Sequence, residues 1–229
     1  MGVAGFVKTT LQDWEGKSSC LISLGGCNLR CPYCNRPGLM ERGGDMDTAP
    51  ILGYIKENRD FLEAAVVSGG EPTMDEGLYR LLGELKKLKL KVKVDTNGCF
   101  PDVLDDIVGA RLADKVCVNV MAPLDDASYS RAAGTEVDAR LIRRSLDILR
   151  GSEAPYEIRT VIVPGVVTHE SFVRMLKDLD GTRSMVIQQF DPRGAAGPMA
   201  SAVPYPVPAL VRMAETAKGY IERVRVRGV

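Results

Sequence analysis

Six short strand-like runs constrain this chain more than any other feature. They fall at residues 18–24, 64–67, 91–94, 116–120, 156–163 and 185–190, and most give way to a polar or glycine-bearing segment. Helix-patterned stretches separate them. Thr48 is placed to cap a helix to about Arg59 with Ile51, Leu52 and Ile55 on one face. From Asp75, residues Leu78, Leu81, Leu82, Leu85 and Leu88 recur at helical spacing. Pro101 suits the first turn of a helix to Val108. Further helices are predicted over 137–149, after a Thr168 cap, and around Val207, Leu210, Val211 and Ala214. Strands alternating with helices imply a parallel sheet with helices packed on it. Six such units are too few to close an eight-stranded barrel. The expected fold is therefore α/β, a partial (β/α)6 TIM-like barrel. No linker or composition break divides residues 1–229, so one domain is expected. Residues 1–17 receive no strand. The Gly-, Ala- and Pro-rich stretch 191–206 is expected to be a mobile loop, either a lid or a docking element, and the chain ends in a short basic tail.

Ligands of βα barrels bind at the C-terminal ends of the strands. The chemistry-bearing motifs fall at those ends. After the first strand comes Gly26-Cys27-Asn28-Leu29-Arg30-Cys31-Pro32-Tyr33-Cys34. After the second comes Ser68-Gly69-Gly70-Glu71-Pro72, and after the third Asp95-Thr96-Asn97-Gly98. Three cysteines at C-x3-C-x2-C spacing offer soft ligands for zinc, copper(I) or an iron–sulfur centre. A closed structural zinc site needs four ligands. No fourth cysteine is near in sequence, and the single histidine, His169, lies far along the chain at a helix start, where a surface or structural role is expected. Three ligands on a cubane of four irons leave one iron open to a small molecule. Cys20, Cys99 and Cys117 stand alone in strand-like settings and read as small buried hydrophobes.

Net charge is zero, which gives no nucleic-acid footprint. No apolar run approaches the ~18 residues of a membrane span. The N-terminus lacks the basic and apolar regions of a signal peptide, so a cytoplasmic setting without a disulfide framework is expected.

The cysteine spacing, with Tyr33 just before the last cysteine, resembles the radical S-adenosylmethionine (SAM) superfamily. The order of motifs resembles one branch of it, the anaerobic ribonucleoside-triphosphate reductase activating proteins. That likeness runs from Gly5-Phe6 through Ala122-Pro123-Leu124 and Arg159-Thr160-Val161 to Gln188-Gln189-Phe190. It implies a radical SAM core with Cys27, Cys31 and Cys34 on a 4Fe-4S cluster and SAM chelating the fourth iron. An external one-electron donor such as ferredoxin or flavodoxin would reduce the cluster. SAM would then be cleaved to methionine and a 5′-deoxyadenosyl radical, which takes hydrogen from a backbone glycine of a glycyl-radical enzyme partner. The resemblance also places Tyr33 near the adenine. It sets Gly69, Gly70 and Glu71 at the methionyl ammonium, and Asp95, Thr96, Asn97 and Asn119 beside SAM and a monovalent cation. Arg159 would reach SAM or neighbouring acids. Gln188 and Gln189 face either the cavity or the sheet edge. The chain departs from the branch at two points. Asn35 follows Cys34 where the branch has His. Asn119-Val120-Met121 stands where it has Asp-Ile-Lys, which removes an anionic cation ligand and a nearby positive charge. These changes keep open a paralogue acting on a small molecule or another peptide. An iron–sulfur electron carrier and a zinc module are the remaining readings, and both lack a fourth ligand.

Overall fold

The computed structural model describes residues 2–41 and 43–229. Among them, eight strands form one sheet in the order β1 to β8. These are β1 (Val3–Thr10), β2 (Ser19–Leu24), β3 (Ala64–Gly69), β4 (Lys91–Thr96), β5 (Lys115–Asn119), β6 (Tyr156–Ile162), β7 (Ser184–Gln189) and β8 (Arg223–Arg227). β1 runs antiparallel to β2, and every pairing from β2 to β8 is parallel. The helices are α1 (Thr48–Glu57), α2 (Leu78–Lys87), α3 (Pro101–Gly109), α4 (Asp126–Ala133), α5 (Ala139–Gly151), α6 (His169–Asp178) and α7 (Val207–Ala217). The result is an open α/β sheet of the partial TIM-like kind. β2 to β7 are the six expected strands.

Four details differ from the sequence reading. β1 is a strand that residues 1–17 did not advertise, because an edge strand needs only one apolar face and Val7 is exposed here. The basic tail is β8, whose Arg-Val alternation pairs parallel with β7. α4 is short and carries no leucine stripe; it buries Tyr129, Ala132 and Ala133. The cap of α1 is Asp47, not Thr48, and its side chain accepts from Ala49 N–H at 3.1 Å. The Thr168 cap of α6 forms as expected, in a capping box with Ser171.

Alternation along each strand gives the sheet two unlike faces. Ile22, Val67, Val92, Val94, Val116, Val118, Ile158 and Ile187 join one core with α-helical residues such as Leu82, Leu104, Ile142, Leu146 and Leu176. In α2, Leu78, Leu81, Leu82 and Leu85 are all buried, and each contributes roughly 2 kcal/mol. The other face is mixed. Beside Leu21, Val66, Val161 and Val186 it carries Ser23, Ser68, Lys93, Asp95, Cys117, Asn119, Glu157, Arg159, Gln188 and Arg225. Among the described residues no helix is long and apolar enough to cross a membrane.

Candidate functional site

The cysteine loop leaves β2 and is held by main-chain hydrogen bonds on three sides. Gly26 and Cys27 N–H donate to Leu39 and Met40 carbonyls at 2.9 and 3.1 Å. Arg30 N–H donates to Ala133 C=O at the end of α4, at 2.8 Å. Glu71 N–H donates to Gly26 C=O at 2.7 Å. The Gly-Gly pair exists for this junction. A Cβ on Gly69 would lie 2.1 Å from Leu24 O, and one on Gly70 would lie 2.1 Å from Gly26 O. Gly69 also has φ +131°. Gly69 thus packs on the end of β2, and Gly70 on the cysteine loop.

Cys27, Cys31 and Cys34 are free thiols that line one cavity of about 380 Å³ at the C-terminal ends of the strands. Tyr33, Gly69, Gly70, Asp95, Thr96, Asn97, Asn119 and Arg159 line the same cavity. Gln188 and Gln189 line it too, Gln188 on the same sheet face as Arg159, while the side chain of Gln189 is taken up by Tyr205 C=O and Phe190 N–H. A larger cleft, about 1310 Å³, lies at the opposite ends of the strands around Trp14, Lys115 and Tyr156, and holds none of the motif residues. Burial pushes the Cys31 thiol up to about 12 and raises Cys27, helped by the neighbouring sulfurs. Iron must therefore displace protons on binding.

The donor set is three soft sulfurs on one cavity with no histidine among its described lining residues, which suits an iron–sulfur centre. Two cavity-lining residues also carry polar atoms that are buried without a hydrogen-bond partner, Arg159 Nε and Gln188 Oε1. Buried polar atoms are rarely left so, which fits a polar occupant.

Glu71 does not line the cavity. It is 1% exposed. Its carboxylate accepts from Thr73 N–H and Oγ (3.0 and 2.5 Å), Thr96 Oγ (2.7 Å) and Asn97 N–H (2.6 Å). Burial pushes its carboxyl up against these four donors. Its visible job is to hold the Thr96-Asn97 turn, whose Asn97 Nδ2 donates to Asn28 Oδ1 at 2.7 Å. Asn119 Nδ2 donates to Thr96 C=O at 3.3 Å, a bond that an aspartate there could not donate. Met121 also lines the cavity, with Sδ 3.7 Å from Cys31 Sγ.

Below the cavity the polar face is an ion-pair network. Arg159 Nη2 donates to Asp95 Oδ2 at 2.7 Å and to Cys117 Sγ at 3.0 Å. Cys20, Cys99 and Cys117 are all buried as expected, but Cys117 is more than an apolar filler. Lys115 and Arg225 contact Glu157 Oε2 at 2.6 and 2.9 Å. The turn between β1 and β2 crosses this face. Its Gln12 and Asp13 line the cavity, and Glu15 pairs with Arg225. The sequence reading missed this turn, Lys93, Asp191 and Arg227, although charges at every second position of β4, β6 and β8 were a signal for a polar inner face. The 191–206 segment holds a short 3-10 turn at Gly197–Ser201 and is tied to the site twice. Gln189 Nε2 donates to Tyr205 C=O at 2.7 Å, and a Cβ on Gly194 would lie 2.1 Å from Asn35 O.

Partner charges hold Asp95 and Glu157 below the usual carboxylate range despite burial, Arg159 and Lys93 for the first and Lys93 and Lys115 for the second. The stability they contribute is therefore complete above about pH 4 and lost as pH falls through their native values. The urea midpoint should be flat from pH 6 to 8 and fall below pH 4, and Glu157→Gln should flatten that fall. An acid limb unchanged in Glu157→Gln would remove Glu157 from the account.

A family model for the radical SAM superfamily matches residues 21–179. A protein of Methanocaldococcus jannaschii, described as a candidate glycyl-radical enzyme activating enzyme, is 31% identical over 99% of this chain and 96% of its own. A 7-carboxy-7-deazaguanine synthase of Clostridium acetobutylicum is 36% identical over 37% of this chain and 39% of its own. Among solved structures, Streptococcus suis SuiB bound to precursor peptide SuiA superposes with a TM-score of 0.69 at 15% identity. That match covers 91% of this chain and 48% of SuiB, so this chain spans about half of that protein. Archaeal TYW1 gives 0.58 at 15% identity, over 89% of this chain and 72% of its own.

Proposed function

This chain belongs to the radical SAM superfamily, whose enzymes use a 4Fe-4S cluster and SAM, and on that premise we propose that it activates a glycyl-radical enzyme, with anaerobic ribonucleotide reductase as the first candidate partner. The observation that carries this reading is the end-to-end correspondence with the M. jannaschii protein. Bound in the cavity, the cluster and SAM supply one-electron reductive cleavage and hydrogen abstraction.

The protein's own residues have three jobs in this proposal. Cys27, Cys31 and Cys34 would hold the cluster. The Gly69-Gly70 main chain, Asp95, Thr96, Asn97, Asn119 and Arg159 would seat SAM, with Tyr33 toward its adenine. Glu71 stands behind that wall and fixes the Thr96-Asn97 turn. Asp191 and Arg227, which also line the cavity, would meet the substrate segment and help exclude water. A ferredoxin or flavodoxin delivers the electron.

A second reading is a small-molecule radical SAM enzyme, favoured by the partial match to a deazaguanine synthase and by Asn119 and Met121. The test mixes reconstituted, dithionite-reduced protein and SAM with anaerobic ribonucleotide reductase. A glycyl-radical doublet by electron paramagnetic resonance (EPR) supports the first reading. Formation of 5′-deoxyadenosine with no glycyl radical on any glycyl-radical partner moves the assignment to the second.

A further inference from the structure

Lys93 lies on β4 with its side chain 2% exposed. Its Nζ is 3.3 Å from Asp95 Oδ1 and 3.4 Å from Glu157 Oε1, and donates to Asp13 C=O at 2.7 Å. Burial alone would push this ammonium toward neutrality, but Asp95 and Glu157 hold its pKa above the usual lysine value. Lys93 does not line the cofactor cavity, whereas Asp95 and Arg159 do. Asp95 has two cationic partners. Arg159 takes Oδ2, and Oδ1 faces the ammonium of Lys93.

We propose that Lys93 is a positioning residue for SAM, holding the Asp95–Arg159 pair in the orientation that receives the cofactor from beneath the cavity floor. The proposal rests on the assignment of the cavity to SAM and is independent of the partner's identity. The network is asymmetric in a way that makes it specific. Glu157 keeps Lys115 and Arg225 if Lys93 is lost, while Asp95 loses one of its two cations. An oxygen buried without compensation then pulls on Arg159. Lys93 also ties down Asp13, so one residue fixes two walls of the cavity, the β4 wall and the turn between β1 and β2.

The test uses the full chain with its cluster reconstituted. SAM is titrated anaerobically against the EPR spectrum of the reduced cluster, and 5′-deoxyadenosine formation is followed against SAM concentration. Lys93→Met should weaken SAM binding by about 10- to 100-fold, the scale of one lost charged contact. KM for SAM should rise with it, while kcat at saturation stays within a few-fold. Lys115→Met removes a cation from the same network without touching Asp95, and should leave SAM affinity within about twofold. If Lys93→Met folds poorly, Lys93→Met/Glu157→Gln relieves the excess negative charge and should restore the fold but not the affinity. Wild-type SAM affinity in either Lys93 variant would overturn the proposal. An equal loss in Lys115→Met would reduce Lys93 to a structural charge and overturn it as well.

Discussion

Replacing Cys27, Cys31 or Cys34 by alanine is expected to abolish the enzyme. Each variant should lose the four-iron centre and its absorbance, and 5′-deoxyadenosine formation should fall by about 10^3-fold or more. The reasoning is that of ligand count. The three sulfurs share one cavity, and among the described residues no other cysteine and no histidine lines it. Folding should survive, because main-chain bonds to Leu39, Met40, Ala133 and Glu71 hold the loop, and the sulfurs add only weak contacts, Leu29 N–H to Cys27 Sγ at 3.4 Å and Cys31 Sγ to Met121 Sδ at 3.7 Å. Cys20→Ala is the control. Cys20 sits in the apolar core between sheet and helices and should keep all four irons. Iron content and reduced-cluster EPR on the four proteins decide the matter, and a motif variant that keeps its cluster and activity would strike that cysteine from the ligand set.

Glu71→Ala should be the most damaging change that touches no cysteine. It strands two backbone N–H groups, of Thr73 and Asn97, and two hydroxyls in a site closed to water. The hydroxyls can turn to other acceptors, but the N–H groups cannot. A loss of about 3–5 kcal/mol in unfolding free energy is expected from urea denaturation of the protein without its cluster. Glu71→Gln keeps one acceptor oxygen but points an NH2 at donors, so it should cost about half as much. SAM binding should weaken in both, since Thr96 and Asn97 form part of the cavity wall. A Glu71→Ala protein as stable as the parent, yet unable to bind SAM, would instead return Glu71 to direct contact with the cofactor.

Much of this was legible in the sequence, for physical reasons that differ by element. β2 to β7 announce themselves because a strand covered on one side by helices must present apolar residues there, as Val92, Val94, Val116 and Val118 do. β1 and β8 escape because edge strands are free of that demand. β8 alternates Arg with Val, and the alternation was readable as a strand, but the charges made it look like a tail. α4 is hidden by its length and its small buried residues. The site divides in the same way. Local motifs place the cysteines, Gly69-Gly70 and Asp95-Thr96-Asn97 on one cavity. What no local motif reveals is long-range pairing. Lys93 gains its meaning from Glu157 on β6 and from Asp13 in the turn after β1, and Glu71 from a turn 26 residues away. Met121 beside Cys31 belongs to the same class, 90 positions apart in the chain.

The most direct measurement of the central claim follows a single hydrogen atom. Anaerobic ribonucleotide reductase is prepared with 2,2-dideuterioglycine and incubated with the reconstituted, reduced protein and SAM. The account predicts that one deuterium leaves the partner's glycine and appears in 5′-deoxyadenosine as a gain of one mass unit, together with a glycyl radical on the partner. Unlabelled 5′-deoxyadenosine formed at the same rate with and without the partner, and no glycyl radical, would contradict it.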